Sequence, residues 1–343
     1  MSVCGFRFMT FPLRLLSFVS SCALLVGCGP TDQSAPSKNA DEAAAGLTPV
    51  IMQTDWFPQA EHGGFYQALA RGFYREAGLD VDVRPGGPSS HVRLRVARGD
   101  ADFGLLRSDD TAMAISQGLP LVMVAASLQH DGEALLVHAD SPVQDFSDLD
   151  GQTVMAPLSM VWVSYIQKKY DVVFKLVPTT YGLASFFADP ALVRSCYLTS
   201  EPFLAQERGV PVRALPLIDA EYDAYAGVVV RRELVRSSPE LVRAFVAATL
   251  RGWEDYLNGD PSPADTLILE RNPQMSQGQL DYSRAALIEH SMVAGFPEKG
   301  ERIGAIDMGR LQHEIDRLRE FDALAKALSA EDIATLEFLP AAK

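Results

Sequence analysis

Val50-Ile51-Met52-Gln53-Thr54-Asp55-Trp56-Phe57-Pro58-Gln59-Ala60-Glu61-His62-Gly63-Gly64 opens the readable body of the chain. Its first residues, with Pro49, read as a short apolar strand. Phe65, Leu69 and Phe73 then recur at helical spacing over positions 64–77, and Gly78 ends that run. Leu79-Asp80-Val81-Asp82-Val83 alternates apolar and polar residues, as a half-exposed strand does. A strand, a loop, a helix and a second strand in this order specify an α/β fold.

The same alternation runs on in both directions from this unit. Arg84-Pro85-Gly86-Gly87-Pro88 is a turn, and Ser89 or Ser90 is positioned to cap a helix ending near Gly99. Val92, Leu94 and Val96 in that stretch also fit a strand period. Strands are expected over 102–106, 121–126, 134–137, 152–156, 172–177, 195–198, 212–217 and 228–230. Helices are expected over 108–118 with Ser108 as cap, and over 161–169, 182–188, 201–208 and 239–258. The remainder to about Leu328 reads as helical. Such alternation predicts parallel sheets covered by helices on both faces, with ligand chemistry in loops at the carboxyl ends of the strands.

The loop after the first strand is the densest in functional side chains. Trp56 and Phe57 offer aromatic faces, while Asp55 and His62 offer an acid and an imidazole, a set that can sandwich and orient a planar ligand. Gly63 and Gly64 permit close backbone approach, and the helix start presents free N–H groups. The same residues read equally well as core aromatics and a surface histidine.

Composition narrows the classes of function. With 343 residues, 48% of them hydrophobic, the chain is long enough for two α/β lobes and too apolar to be disordered. A formal net charge of −14 without a Lys/Arg-rich run argues against a nucleic-acid partner. Arg7 and Arg14 precede an uncharged apolar stretch over 15–26 that ends in Leu25-Val26-Gly27-Cys28, the plan of a signal peptide. This ending resembles a lipoprotein cleavage site, with residues 1–27 removed and Cys28 carrying the lipid. Residues 28–48, rich in Ala, Ser, Asp, Asn and Pro, read as a tether. Cys196 is then left without Cys4, Cys22 or Cys28 to pair with, and reads as a small buried hydrophobe rather than a catalytic thiol.

The motif Asp-Trp-Phe-Pro-x-x-x-His-x-Gly is followed by Tyr66-x-Ala68-Leu69-Ala70-x-Gly72-Phe73-Tyr74-x-Glu76-x-Gly78-Leu79-Asp80-Val81. Farther on come Gly99-Asp100-Ala101-Asp102-Phe103-Gly104, Gly118-Leu119-Pro120-Leu121-Val122, Thr199-Ser200-Glu201-Pro202-Phe203 and Tyr222-Asp223-Ala224-Tyr225. The series ends with Pro239-Glu240-Leu241-Val242-Arg243-Ala244-Phe245. Over roughly residues 50 to 290 this series resembles the thiamine-precursor-binding and thiamine-pyrimidine-synthase-like family, a branch of the type II periplasmic binding proteins. The resemblance implies two doubly wound α/β lobes joined by a hinge, with a helical C-terminal extension. Lobe 1 would comprise 49–130 plus 219–330, lobe 2 would comprise 131–218, and 331–343 would be a tail. It further implies that Trp56 stacks on a heteroaromatic ring and that Glu201 of the second lobe accepts hydrogen bonds from its substituents. Asp55 and His62 share the first loop, and Ser108, Asp109, Tyr181, Asp223 and Tyr225 are further ligand-binding candidates. Each of these could equally be a cap or a hinge contact, and Glu201 a helix-N-terminal acid.

The implied function is the lipid-anchored solute-binding component of an ABC importer. It would be monomeric and exported, would work with permease and ATPase subunits, and would need no cofactor or metal. The main alternative is synthesis of the thiamine pyrimidine, since His62 matches the histidine consumed by synthase relatives. The Cys-rich segment of those enzymes has no counterpart here. A sulfonate or nitrate receptor would want converging Arg and Ser and no stacking acids, and Asp55, Glu61 and Glu201 weigh against it. A flavin or other larger heteroaromatic is a further alternative ligand. Two loops depart from the pyrimidine-binding pattern: Gln59-Ala60-Glu61, where an Asn-containing triplet is frequent, and Pro157-Leu158-Ser159-Met160.

Overall fold

The computed structural model describes residues 46–340 apart from Ser159 and Tyr181. The expectations for the signal peptide, for Cys28, for most of the tether and for Tyr181 lie outside the described residues.

The first lobe is built on β1 (Thr48–Gln53), β2 (Leu79–Arg84), β3 (Phe103–Arg107) and β4 (Leu121–Leu128). The chain then crosses through 129–132 into β5 (Glu133–His138), β6 (Thr153–Ala156), β7 (Lys175–Pro178), β8 (Val193–Tyr197) and β9 (Val212–Pro216). A second crossing over 217–225 returns it to β10 (Ala226–Arg231). The two five-stranded sheets have the orders β2-β1-β3-β10-β4 and β7-β6-β8-β5-β9. Purely parallel sheets were expected, and both sheets are mixed. β10 runs antiparallel to β3 and β4, and β5 runs antiparallel to β8 and β9, because each crossing feeds a strand into a sheet from the opposite end.

Both faces of each sheet are covered, as the near-continuous burial of β4 and β5 requires. On one face of the first sheet the helix Pro239–Asn258 packs Phe245 and Trp253 against Phe65 and Phe103. On the other, Val92 and Val96 of the helix Val92–Arg98 and Leu311 and Ile315 of the helix Met308–Glu320 close a second core. The helical reading of 92–98 prevails because Val92 and Val96 stand one turn apart over Gly104, where a Cβ would collide with both. Its expected serine cap is absent: His91 precedes the helix in the left-handed region, and the Ser90 hydroxyl instead donates to the Asp55 carbonyl.

Three further expectations need correction. The helix expected over 64–77 is broken at Gly72, whose φ of 76° separates Gly63–Ala70 from Phe73–Glu76. Ser108 is the first residue of its helix rather than the cap. Residues 331–340, expected as a tail, are packed. Ala334 bridges Met123, the Thr335 N–H donates to the Met123 carbonyl, and Ile333 and Phe338 are buried because both are large and apolar. No helix among the described residues is long and apolar enough to cross a membrane.

Candidate functional site

The loop after β1 is held rigidly by its neighbours. The Gln53 side-chain amide, buried at the end of β1, donates to the carbonyls of Thr54 (3.0 Å) and Pro85 (3.1 Å). The Gly86 N–H donates to the Trp56 carbonyl (2.9 Å), and the Gly87 N–H to the Asp55 carbonyl (3.1 Å). A Cβ on Gly86 would collide with the Asp55 backbone, so this turn and the Trp56 loop pack as one piece. From the far side, the Asn272 amide donates to the Pro58 carbonyl (2.9 Å). An indole on a loop pinned in this way costs little ordering entropy when it meets a ligand.

Between the lobes lies a cleft of about 290 Å³. Asp55, Trp56, Gln59, Glu61, His62 and Arg107 line it from the first lobe, and Pro157, Met160, Thr179, Arg194, Tyr197 and Glu201 from the second. The structure therefore brings Asp55, Trp56, His62 and Glu201 together in one crevice. His62 is buried, with Nε2 2.9 Å from Asp55 Oδ1, while its Nδ1 finds no partner among the described residues. Glu201 Oε2 accepts from the Tyr197 N–H (2.8 Å), and its other oxygen lies 3.7 Å from Arg194. Burial raises the Glu201 pKa above the ordinary range, opposed by that N–H and by Arg194.

Gly63 and Gly64 serve packing instead of ligand approach. A Cβ on Gly63 would enter the Tyr256 ring and one on Gly64 the Trp253 ring, so the glycine pair admits the helix Pro239–Asn258.

Four expected site residues do not line the cleft. Ser108 is fully buried, donating to Glu314 (2.7 Å) and accepting from the Tyr225 N–H (2.9 Å). Asp109 pairs with Arg107 (3.2 Å) and accepts from the Tyr222 hydroxyl (2.5 Å). Asp223 accepts from Arg310 (2.7 Å) and contacts His130 Nδ1 at 2.7 Å, and it borders a separate cavity at the hinge. The Tyr225 hydroxyl accepts from the Asp307 N–H (3.1 Å), and its ring lies under the Arg310 guanidinium (4.1 Å). The Tyr222–Tyr225 stretch lies on the second crossing, and its polar groups are spent on holding that crossing.

The cleft also contains charges that no local motif announced. Arg107 is held between Asp109 and Asp131, and Arg194 donates to the Gly182 carbonyl (2.7 Å) and faces Glu201. Burial, reinforced by Asp131, pushes the Glu133 carboxyl up to about 8, so it carries a proton at neutral pH. Both arginines are thus matched by carboxylates, and Glu61 Oε2 is left without a hydrogen-bond partner among the described residues. Cys196 lines it as a buried thiol whose pKa burial drives well upward.

The family model described as NMT1/THI5 like matches residues 59–264, well over half the chain. The chain belongs to the NMT1/THI5-like family. Among curated relatives of this NMT1/THI5-like protein, the riboflavin-binding protein RibY of Chloroflexus aurantiacus is 27% identical over 298 residues, 82% of this chain and 83% of the relative. The formylaminopyrimidine-binding protein of Halalkalibacterium halodurans is 25% identical over 335 residues, 93% of this chain and 97% of the relative. A 4-amino-5-hydroxymethyl-2-methylpyrimidine phosphate synthase of Saccharomyces cerevisiae is 24% identical over 248 residues, covering 66% of this chain and 72% of the relative. Among solved structures, the alkanesulfonate-binding protein SsuA from Xanthomonas axonopodis pv. citri superposes with a TM-score of 0.63 at 10% identity, covering 84% of this chain and 98% of the neighbour. The NMT1/THI5-like chain therefore has the periplasmic-binding-protein fold: two α/β lobes with mixed sheets and a helical C-terminal region.

Proposed function

We propose that this protein is the solute-binding component of an ABC importer and captures a small nitrogen heteroaromatic, of the pyrimidine or flavin class, in the interlobe cleft. The observation that carries the reading is the placement of the Trp56 indole on one wall and Glu201 on the other, in a crevice whose arginines already have carboxylate partners. An indole face suits a flat ring, and spare carboxylate oxygens suit its N–H groups. An anion would find no uncommitted guanidinium among the described lining residues. The names of the two binding-protein relatives point to the same ligand classes. Lobe closure about the two crossings would convert occupancy into a surface that the permease and ATPase assembly can read. Export as a monomer anchored to the membrane by a lipid on Cys28 completes the proposal.

The test is native mass spectrometry of freshly purified protein, followed by calorimetric titration with riboflavin and with formylaminopyrimidine. One of them should bind. Trp56→Ala should weaken that binding by about tenfold or more while leaving the fold intact. Unchanged affinity in the variant would dismiss stacking.

A second reading, pyrimidine synthesis, is favoured by one observation: His62, at the position of the histidine consumed in synthase relatives, borders the cleft. Against it stands the cysteine content, since beyond Cys28 only Cys196 remains. Incubation with iron and pyridoxal phosphate under oxygen distinguishes the two, because synthesis would leave a mass loss at His62.

A further inference from the structure

Glu61 is the most unusual carboxyl in the cleft. It is only 5% exposed, yet it sits in the first-lobe loop with no cation hydrogen-bonded to it among the described residues. Its Oε1 accepts the hydroxyl of Thr199, a residue of the second lobe between β8 and the helix Glu201–Glu207. Its Oε2 is buried and finds no hydrogen-bond partner among the described residues. Thr199 is fully buried, and its carbonyl accepts from the Ser283 hydroxyl (2.7 Å) of the helix Gln277–Glu289. The first lobe therefore grips Thr199 from two sides. Leaving a buried carboxylate oxygen without a donor is unfavourable, and a donor brought to it relieves that cost.

We infer that Glu61 couples ligand capture to lobe closure, with one carboxylate oxygen latched to Thr199 across the cleft and the other accepting an N–H or O–H of the bound heterocycle. The inference rests on the interlobe binding proposed above. A donor on the ligand satisfies Oε2 and steadies the carboxylate, whose Oε1 already accepts from Thr199. A ligand with an apolar edge at this point leaves the oxygen bare and the latch weak. Glu61 thereby selects for heterocycles carrying a hydrogen-bond donor on the edge that faces the first-lobe loop. Burial raises the Glu61 pKa, opposed by the Thr199 hydroxyl and by His62.

The test compares wild type with Glu61→Gln, Glu61→Ala, Thr199→Val and Trp56→Ala. Affinities for riboflavin and formylaminopyrimidine come from calorimetry, and lobe separation from small-angle X-ray scattering of ligand-free and ligand-saturated protein. Gln keeps an oxygen for the Thr199 hydroxyl but turns an N–H₂ toward the ligand donor. Glu61→Gln should therefore scatter like wild type when ligand-free and bind at least about tenfold more weakly. Thr199→Val should open the ligand-free protein and weaken binding by a few-fold, and Glu61→Ala should do both. Affinity of Glu61→Gln within twofold of wild type, for a probe that Trp56→Ala no longer binds, would overturn the coupling and leave the binding reading standing. Scattering of Thr199→Val and Glu61→Ala that superposes on wild type would overturn the latch. If neither probe binds wild type, the heteroaromatic reading fails and takes the ligand contact with it, while the scattering comparison still decides the latch.

Discussion

His130 and Asp223 meet at 2.7 Å, and each sits on a different one of the two chain crossings that join the lobes. The other ring nitrogen of His130 contacts Glu301 at 2.8 Å, and Arg310 donates to Asp223 at 2.7 Å. The hinge is therefore a cross-linked polar cluster. The pair ties one crossing directly to the other.

Replacing Asp223 tests that role. Asp223→Asn should lower the stability of the ligand-free protein by about 2–3 kcal/mol, the scale of charge-assisted hydrogen bonds in a half-buried setting. It should weaken ligand binding far less than Trp56→Ala does. Urea denaturation and calorimetry on the same preparation read both; a binding loss equal to that of Trp56→Ala would return Asp223 to the cleft.

Stability should fall as pH rises through the neutral range. Burial pushes Glu133 and Glu314 up to about 8, with Asp131 and Asp109 adding to it. The unfolded carboxyls titrate near 4.3. Between those values the folded chain holds protons that the unfolded chain has lost, so the slope of unfolding free energy with pH is negative. The contribution is fully lost only above the folded pKa. Glu314→Gln, which lies away from the cleft, should match wild type near pH 4 and exceed it near pH 9 by on the order of 2–4 kcal/mol. Denaturant titrations at those two pH values check this.

Gly64 is expected to tolerate nothing larger. Gly64→Ala places a methyl inside the Trp253 ring, itself fully buried and bonded to Ser127 (3.0 Å). Overpacking of this kind costs about 1–3 kcal/mol and more where the neighbour cannot move. Melting temperature should fall while the molecules that remain folded bind normally.

Cys196 should resist alkylation. Its thiol is buried and its pKa is driven well upward by burial and then by Glu201, so little thiolate exists at pH 7.5. Peptide mapping after iodoacetamide should find it unmodified in native protein and modified in urea. Rapid native labelling would mean that the cleft opens to reagents.

The α/β class, every strand and the long helix Pro239–Asn258 were legible because their apolar periods are strong and local. The first-loop cluster was legible for the same reason, since Asp55, Trp56 and His62 lie within one stretch. What could not be read was anything decided by the two crossings. Sheet polarity depends on where β10 inserts, and no residue near 226–231 signals that its neighbours are β3 and β4. Asp109 and Asp223 looked like ligand contacts because acids near strand ends often are. Asp109 has Arg107 close by, but its other partner Tyr222, and the Arg310 that holds Asp223, lie roughly a hundred positions away in sequence. Glu133 and Asp131 entered the cleft unannounced because β5 begins immediately after the first crossing.

The strand order β2-β1-β3-β10-β4 means that the first sheet cannot be completed until residue 231 has been made. A ribosome delivers β5 to β9 before β10, so the inserted lobe has all its strands while its host still has a gap between β3 and β4. Newly made chain must hold two unsatisfied strand edges open for more than a hundred residues of synthesis, roughly 5 to 20 seconds at ordinary translation rates. That delay leaves the first sheet without the strand that joins β3 to β4 until residues 226–231 arrive.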